Sequence, residues 1–88
     1  MRIKCAAIRY MGNVYEGESH YAIGQKMIAD GVCEKIPGGD AQGFVTECGK
    51  YVRRAPALMI AIGAGQVEEG KTLNPLHLFS EDINQYKQ

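Results

Sequence analysis

The chain has 88 residues and a mass of 9.7 kDa, room for one compact domain (residues 1–88) and too little for two of ordinary size. Ten Lys and Arg balance ten Asp and Glu, which argues against a protein that coats long nucleic acid, because neutralising many phosphates takes a basic surplus. Hydrophobic residues make up 45% of the chain, too many for disorder, yet no run approaches the ~18 apolar residues of a membrane span. Arg9 interrupts the apolar stretch a signal peptide would need, so the expected compartment is the cytoplasm.

Residues 3–10 alternate as a β-strand, with Ile3, Cys5 and Ala7 on one side and Lys4, Ala6 and Ile8 on the other. Gly12 and Asn13 tolerate positive φ and predict a hairpin turn before Val14-Tyr15 resumes the extended pattern. Ser19 offers an N-cap oxygen to a helix over residues 20–30, with Ile23, Met27 and Ile28 on one face and Gly31 as its stop. Pro37-Gly38-Gly39-Asp40 is the strongest loop signal. The second half repeats the order: strands over 43–46 and 51–53, a turn over 47–50 with Gly49 at positive φ, and a helix from about Pro56 to Gly65. This second helix is almost wholly uncharged, which requires cover on more than one side. In so small a domain a helix shared with a second subunit is the economical explanation. Asn74-Pro75 marks a turn, residues 76–79 a short strand, Ser80 a cap for a final helical turn, and residues 85–88 a frayed end. The predicted fold is α+β: a small antiparallel sheet with two helices, arranged as two ββα units plus a short C-terminal strand.

Catalytic patterns are broken. A two-histidine phosphodiesterase places a hydroxyl two residues after each histidine, and here those positions are Ala22 and Phe79. Ser19, His20, Glu16 and Glu18 lack a spacing that sets a base against a nucleophile. Cys5, Cys33 and Cys48 are odd in number and, with His20 and His77, lack the close ligand pairs of structural zinc sites. They are expected to be reduced small hydrophobes, with no metal and no cofactor. Binding is better supported. Gln42, Phe44, Thr46, Tyr51, Arg53 and Arg54 fall within thirteen positions, bringing aromatic faces for stacking, guanidinium groups for phosphate and an amide for a base edge or ribose hydroxyl. Strand alternation puts Arg53 and Arg54 on opposite faces, so at most one of the two is expected to serve a given pocket. The N-terminus of the first helix, at Gly17-Glu18-Ser19-His20, is a further weak anion site.

These residues resemble a known pattern. Gln42-Gly43-Phe44-Val45-Thr46, Gly49-Lys50-Tyr51-Val52, Arg54, Ala57, Ala61, Ala64-Gly65-Gln66 and Leu78-Phe79-Ser80-Glu81-Asp82 are similar in order and spacing to the first type of phage Thoeris anti-defence protein. Its pattern reads roughly QGF-x-T-x-x-G-x-(F/Y)-V-x-R-x-x-A, then A-G-Q, then L-x-S-E-D. Gly17-x-x-His20 is similar to that family's G-x-x-H segment.

The resemblance implies a non-enzymatic sponge that sequesters cyclic ADP-ribose isomers, and in some members cyclic oligonucleotides, in pockets where subunits of a homo-oligomer meet. It implies that Phe44 stacks on adenine, that Arg54 contacts phosphate, and that His20, Gln42 and Gln66 line or support the site, with Thr46 and Tyr51 in the same binding set. Two departures stand out: the loop between Gly31 and Gln42 is compact, and Ser19 stands where the family pattern suggests a cation. If a cation at that position serves a phosphate site, this chain has either lost one ligand class or moved its anion contact to Arg2, Lys4 or Arg9. The alternatives are a small interaction protein that inhibits a host protein through the apolar helix over residues 57–65 and a cyclic-nucleotide hydrolase.

Overall fold

A computed structural model describes residues 1–85, so the fraying expected of the C-terminus lies, from position 86 on, outside the described residues. The strands are β1 (Ile3–Tyr10), β2 (Asn13–Gly17), β3 (Gln42–Thr46) and β4 (Tyr51–Arg53). The helices are α1 (His20–Ala29), α2 (Arg54–Gly63) and the short α3 (Ser80–Gln85), and a 3-10 turn, Gly39–Ala41, leads into β3. All four strands form one antiparallel sheet in the order β2-β1-β3-β4. The fold is therefore α+β with two successive ββα units.

Local chemistry accounts for each boundary. The first hairpin reverses at Met11 and Gly12, with φ of 51° and 81°, one position before the Gly12-Asn13 turn predicted above, and Asn13 pairs with Tyr10. Two successive positive φ values suit the twist of the flanking strands. Within β1 the register shifts between Ile3 and Cys5. The bulge inserts one residue, so Ile3 joins Ala6 and Ile8 in the core, whereas strict alternation groups it with Cys5 and Ala7. Ser19 caps α1 as expected, its Oγ accepting from the Ala22 N–H at 3.0 Å. Both long helices end in the same way. After α1 the N–H groups of Gly31 and Val32 reach the carbonyls of Ile28 and Met27, and after α2 those of Gly65 and Gln66 reach Ile62 and Ala61, the pair of bonds that defines a Schellman ending.

Ile23 and Met27 of α1 and Ala57, Leu58 and Ala61 of α2 share one core with Ala6, Ile8 and Phe44 of the sheet. The opposite sheet face is dressed by its own side chains: Arg9 stacks on the Tyr51 ring at 4.7 Å and Lys4 pairs with Glu16 at 3.0 Å. The strand expected at residues 76–79 is not formed. The Asn74 Oδ1 accepts from the Leu76 and His77 N–H groups at 2.8 and 3.1 Å, an Asx turn that curls the chain away from an extended path. The Leu78 N–H donates to the Arg54 carbonyl at the start of α2. The short helix α3 follows, and the buried Asp82 carboxylate accepts from the N–H groups of Leu73 and Phe79, both at 2.9 Å. Bonding back to Phe79 just before the helix is the acid half of a capping box.

Candidate functional site

Strand β4 runs into α2 with no residue between them, which places Arg54 at the first helical position. Its Nη2 donates to Gln42 Oε1 at 2.6 Å and to His20 Nδ1 at 3.4 Å, and its guanidinium carbon lies 4.4 Å from the centroid of the Phe79 ring. Gln42 opens β3 and is itself held by donation from Nε2 to the Pro37 carbonyl at 3.0 Å. His20 opens α1, and its Nε2 lies 2.7 Å from the Gly43 carbonyl oxygen. A carbonyl only accepts, so Nε2 carries the proton and Nδ1 of the neutral ring is the acceptor Arg54 needs. The Phe44 ring meets the imidazole edge to face, with centroids 5.2 Å apart. Side chains from α1, β3 and α2, with Phe79 just ahead of α3, thus converge on one guanidinium.

The rest of that guanidinium is unengaged. Its Nε is buried and has no hydrogen-bond partner. Among the described residues Nη1 makes no hydrogen bond, and no carboxylate lies within 4.0 Å of the group. Burial works against both charges here. It pushes the His20 imidazole below the usual 6.5, with the Gly43 carbonyl opposing and the Arg54 charge reinforcing the shift. It also lowers Arg54, against the support of Glu81 and Tyr51.

Beside Arg54 opens a cavity of about 430 Å³ whose walls include Asp40, Gln42, Arg53, Arg54, Pro56 and His77, a size suited to a small ligand. Both arginines line it, contrary to the expectation that only one would. Alternation of side chains holds within a strand, and the chain leaves the strand between these two residues.

The other residues expected at the site are placed as follows. Phe44 is 0% exposed, so in this chain its ring presents no face for a base to stack on and instead supports His20. Tyr51 donates its hydroxyl to the carbonyls of Asp40 and Ala41 at 3.2 and 3.0 Å and thereby holds the 3-10 turn that forms one cavity wall. It lies so close over Gly43 that a Cβ there would stand 2.6 Å from its hydroxyl and 2.3 Å from the Val52 carbonyl. Thr46 is buried and closes the β3–β4 turn, its Oγ1 accepting from the Lys50 N–H at 3.2 Å and contacting Cys48 Sγ at 3.1 Å. That contact holds the exposed Cys48 thiol below its usual pKa. Gln66 lies in a different place: its amide makes a two-way bond with the Ile3 backbone, 2.7 Å to N and 2.8 Å to O, at the edge of a second cavity with Arg2 and Lys4. The structure therefore brings His20, Gln42 and Arg54 together over Phe44, sets Tyr51 as a brace beside them, and keeps Thr46 and Gln66 apart.

Arg2, Lys4 and Arg9, the alternatives to a cation at position 19, are engaged with the Ala64 carbonyl, Glu16 and Tyr51, and none of them lines the cavity beside Arg54. Two participants lie outside the binding residues expected from the sequence. Phe79 sits within the L-x-S-E-D segment but carries no signal of its own, and His77 reaches the cavity because the chain turns at Asn74 instead of continuing as a strand. Among the described residues no three His, Cys, Asp or Glu side chains gather as a metal ion would require, and no helix is long and apolar enough to cross a membrane. No curated protein and no solved structure matches the chain. The family model described as phage T4 y16D protein matches residues 2–83, nearly the whole chain, and the protein accordingly belongs to that phage family.

Proposed function

We propose that this phage protein is a non-enzymatic sponge of the Thoeris anti-defence type, which binds cyclic ADP-ribose isomers or cyclic oligonucleotides in the cytoplasm of the infected host and withholds them from the defence that made them. The observation that carries this reading is Arg54: a guanidinium pinned by Gln42, His20 and Phe79, in no ion pair among the described residues and with its Nε unpartnered, on a residue that lines an open cavity. A guanidinium in no direct ion pair, supported only through space by Glu81, is arranged to meet an external anion, and phosphate suits the planar fork of Arg. Arg53 in the same wall supplies a second positive charge for a ligand with two phosphates. The ordered motifs around Gln42, Arg54 and Asp82 support the same reading.

The apolar helix fits a homo-oligomer. Met59 on α2 is 68% exposed on a helix without charge after its first residue, and a second copy laid on it would wall the cavity that one thin domain leaves open. Sequestration at a Kd near 1 nM needs about −12 kcal/mol of binding free energy, which demands a closed and preorganised pocket. The deciding experiment incubates the protein with cyclic ADP-ribose isomers and cyclic oligonucleotides, isolates the complex, heats it and identifies what is released. Intact ligand is the expected outcome. Cleaved ligand would make the protein a hydrolase, and no retained ligand together with a host protein in pull-down would favour inhibition through α2.

A further inference from the structure

We infer that His20 is a positioning residue that couples the anion site to pH: its neutral ring holds Arg54 in place, and its protonated ring releases it. This rests on the reading of Arg54 as the phosphate contact. The tautomer is dictated by geometry, since the Gly43 carbonyl at 2.7 Å demands a proton on Nε2. The only lone pair left to the ring is on Nδ1, 3.4 Å from Arg54 Nη2. A second proton can enter only at Nδ1, where it removes the acceptor and sets two positive groups against each other.

The surroundings of the ring decide how hard that proton is to add. His20 is 6% exposed. From α2 it faces Arg54, which opposes a second charge; from α3 Glu81 favours it; from β3 it meets the Gly43 carbonyl and the Phe44 ring. Burial is the largest influence and keeps the ring neutral to below the ordinary pH of imidazole titration. Arg54, in contrast, stays charged throughout, and it has alternatives to its present place because it is only half-buried and borders the cavity. When His20 is protonated, the arginine is the group that moves. An anionic ligand pulls in the opposite direction by favouring positive charge. His20, however, does not line the cavity, so the ligand meets Arg54 directly and the imidazolium only through it. Loss of Arg54's position outweighs that indirect attraction.

Affinity is therefore full at neutral pH and falls as pH drops through the depressed midpoint of His20, by at most about tenfold per pH unit for one proton. The test has two arms. In the first, calorimetry with cyclic ADP-ribose is run from about pH 8 to about pH 5.5, on a His77→Gln background so that the imidazole lining the cavity is absent. The same runs on added His20→Asn, whose amide oxygen replaces the Nδ1 acceptor without titrating, should give weaker but pH-independent binding. In the second, nitrogen-resolved NMR of the ligand-free protein follows the His20 ring and the Arg54 Nε–H together. The expected result is an Nε2–H tautomer and an Arg54 resonance that shifts with the midpoint of His20. Affinity that rises on acidification, or an Arg54 resonance indifferent to the His20 titration, overturns the inference. If cyclic ADP-ribose fails to bind at any pH, the sponge reading loses its ligand while the NMR arm still decides the role of His20.

Discussion

Arg54 and Gln66 show how differently two polar residues from one motif series are used. Arg54 lines a cavity and keeps a buried Nε without a partner, whereas both ends of the Gln66 amide are consumed by the backbone of Ile3. Arg54→Ala should therefore abolish most ligand binding at a stability cost of about 1 kcal/mol, because removing the desolvation cost of the charge offsets part of what is lost when Gln42 Oε1 and His20 Nδ1 lose their donor. Gln66→Ala should do the reverse, costing about 1–3 kcal/mol by leaving the Ile3 N–H and C=O unpaired and leaving ligand affinity unchanged. Urea unfolding and calorimetry on the two variants check this, and a loss of affinity in Gln66→Ala at full stability would bring that residue back into the site. At this scale the sequence was informative about residue type and silent about partner. The cluster of Gln42, Phe44 and Arg54 was visible as a local density of binding chemistry. That Phe44 is buried, and that Phe79 stacks on Arg54, depends on contacts between distant segments that no local pattern encodes.

At the scale of elements, boundaries follow caps and turns, and most were legible for that reason. Ser19, Gly31, Gly49 and Gly65 each occupy the kind of position their chemistry favours. The departures come from features that shift phase. The bulge in β1 moves Ile3 into the core, and the strand-to-helix junction puts Arg53 and Arg54 in one cavity wall; alternation alone registers neither. The first hairpin holds a testable strain. Met11 adopts φ of 51°, a region costing a non-glycine residue about 1–2 kcal/mol, and its side chain is exposed. Met11→Asn would create the Asn-Gly pair preferred in such turns and should stabilise the protein by roughly 0.5–1 kcal/mol. A midpoint of thermal unfolding that fails to rise would show that the apolar side chain at the hairpin tip has a compensating contact. The expected C-terminal strand gave way to the same kind of local competition, since Asn74 offers the backbone a turn before any sheet edge is reached.

The molecule as a whole is two ββα units joined side by side, and its class was legible because each unit carries its own turn and helix signals. What unites them is not local: β1 pairs with β3, and Phe44 of the second unit packs among Ala6, Ile8, Ile23 and Met27 of the first. Neither half alone buries enough apolar surface to fold. Cutting the chain in the loop between α1 and the 3-10 turn should give two fragments that are disordered separately and recover the native circular dichroism when mixed; structure in either fragment alone would refute this. The same seam has a kinetic meaning. Each hairpin with its helix closes over short stretches of chain and can form early, whereas the β1–β3 register waits for remote segments to meet. Loop closure of that kind is the slow step in small domains, and until it happens each unit exposes an unpaired strand beside the one its twin is missing. In a crowded infected cell, two newly made chains could satisfy that need from one another, making the central seam the place where correct folding competes with exchange between copies.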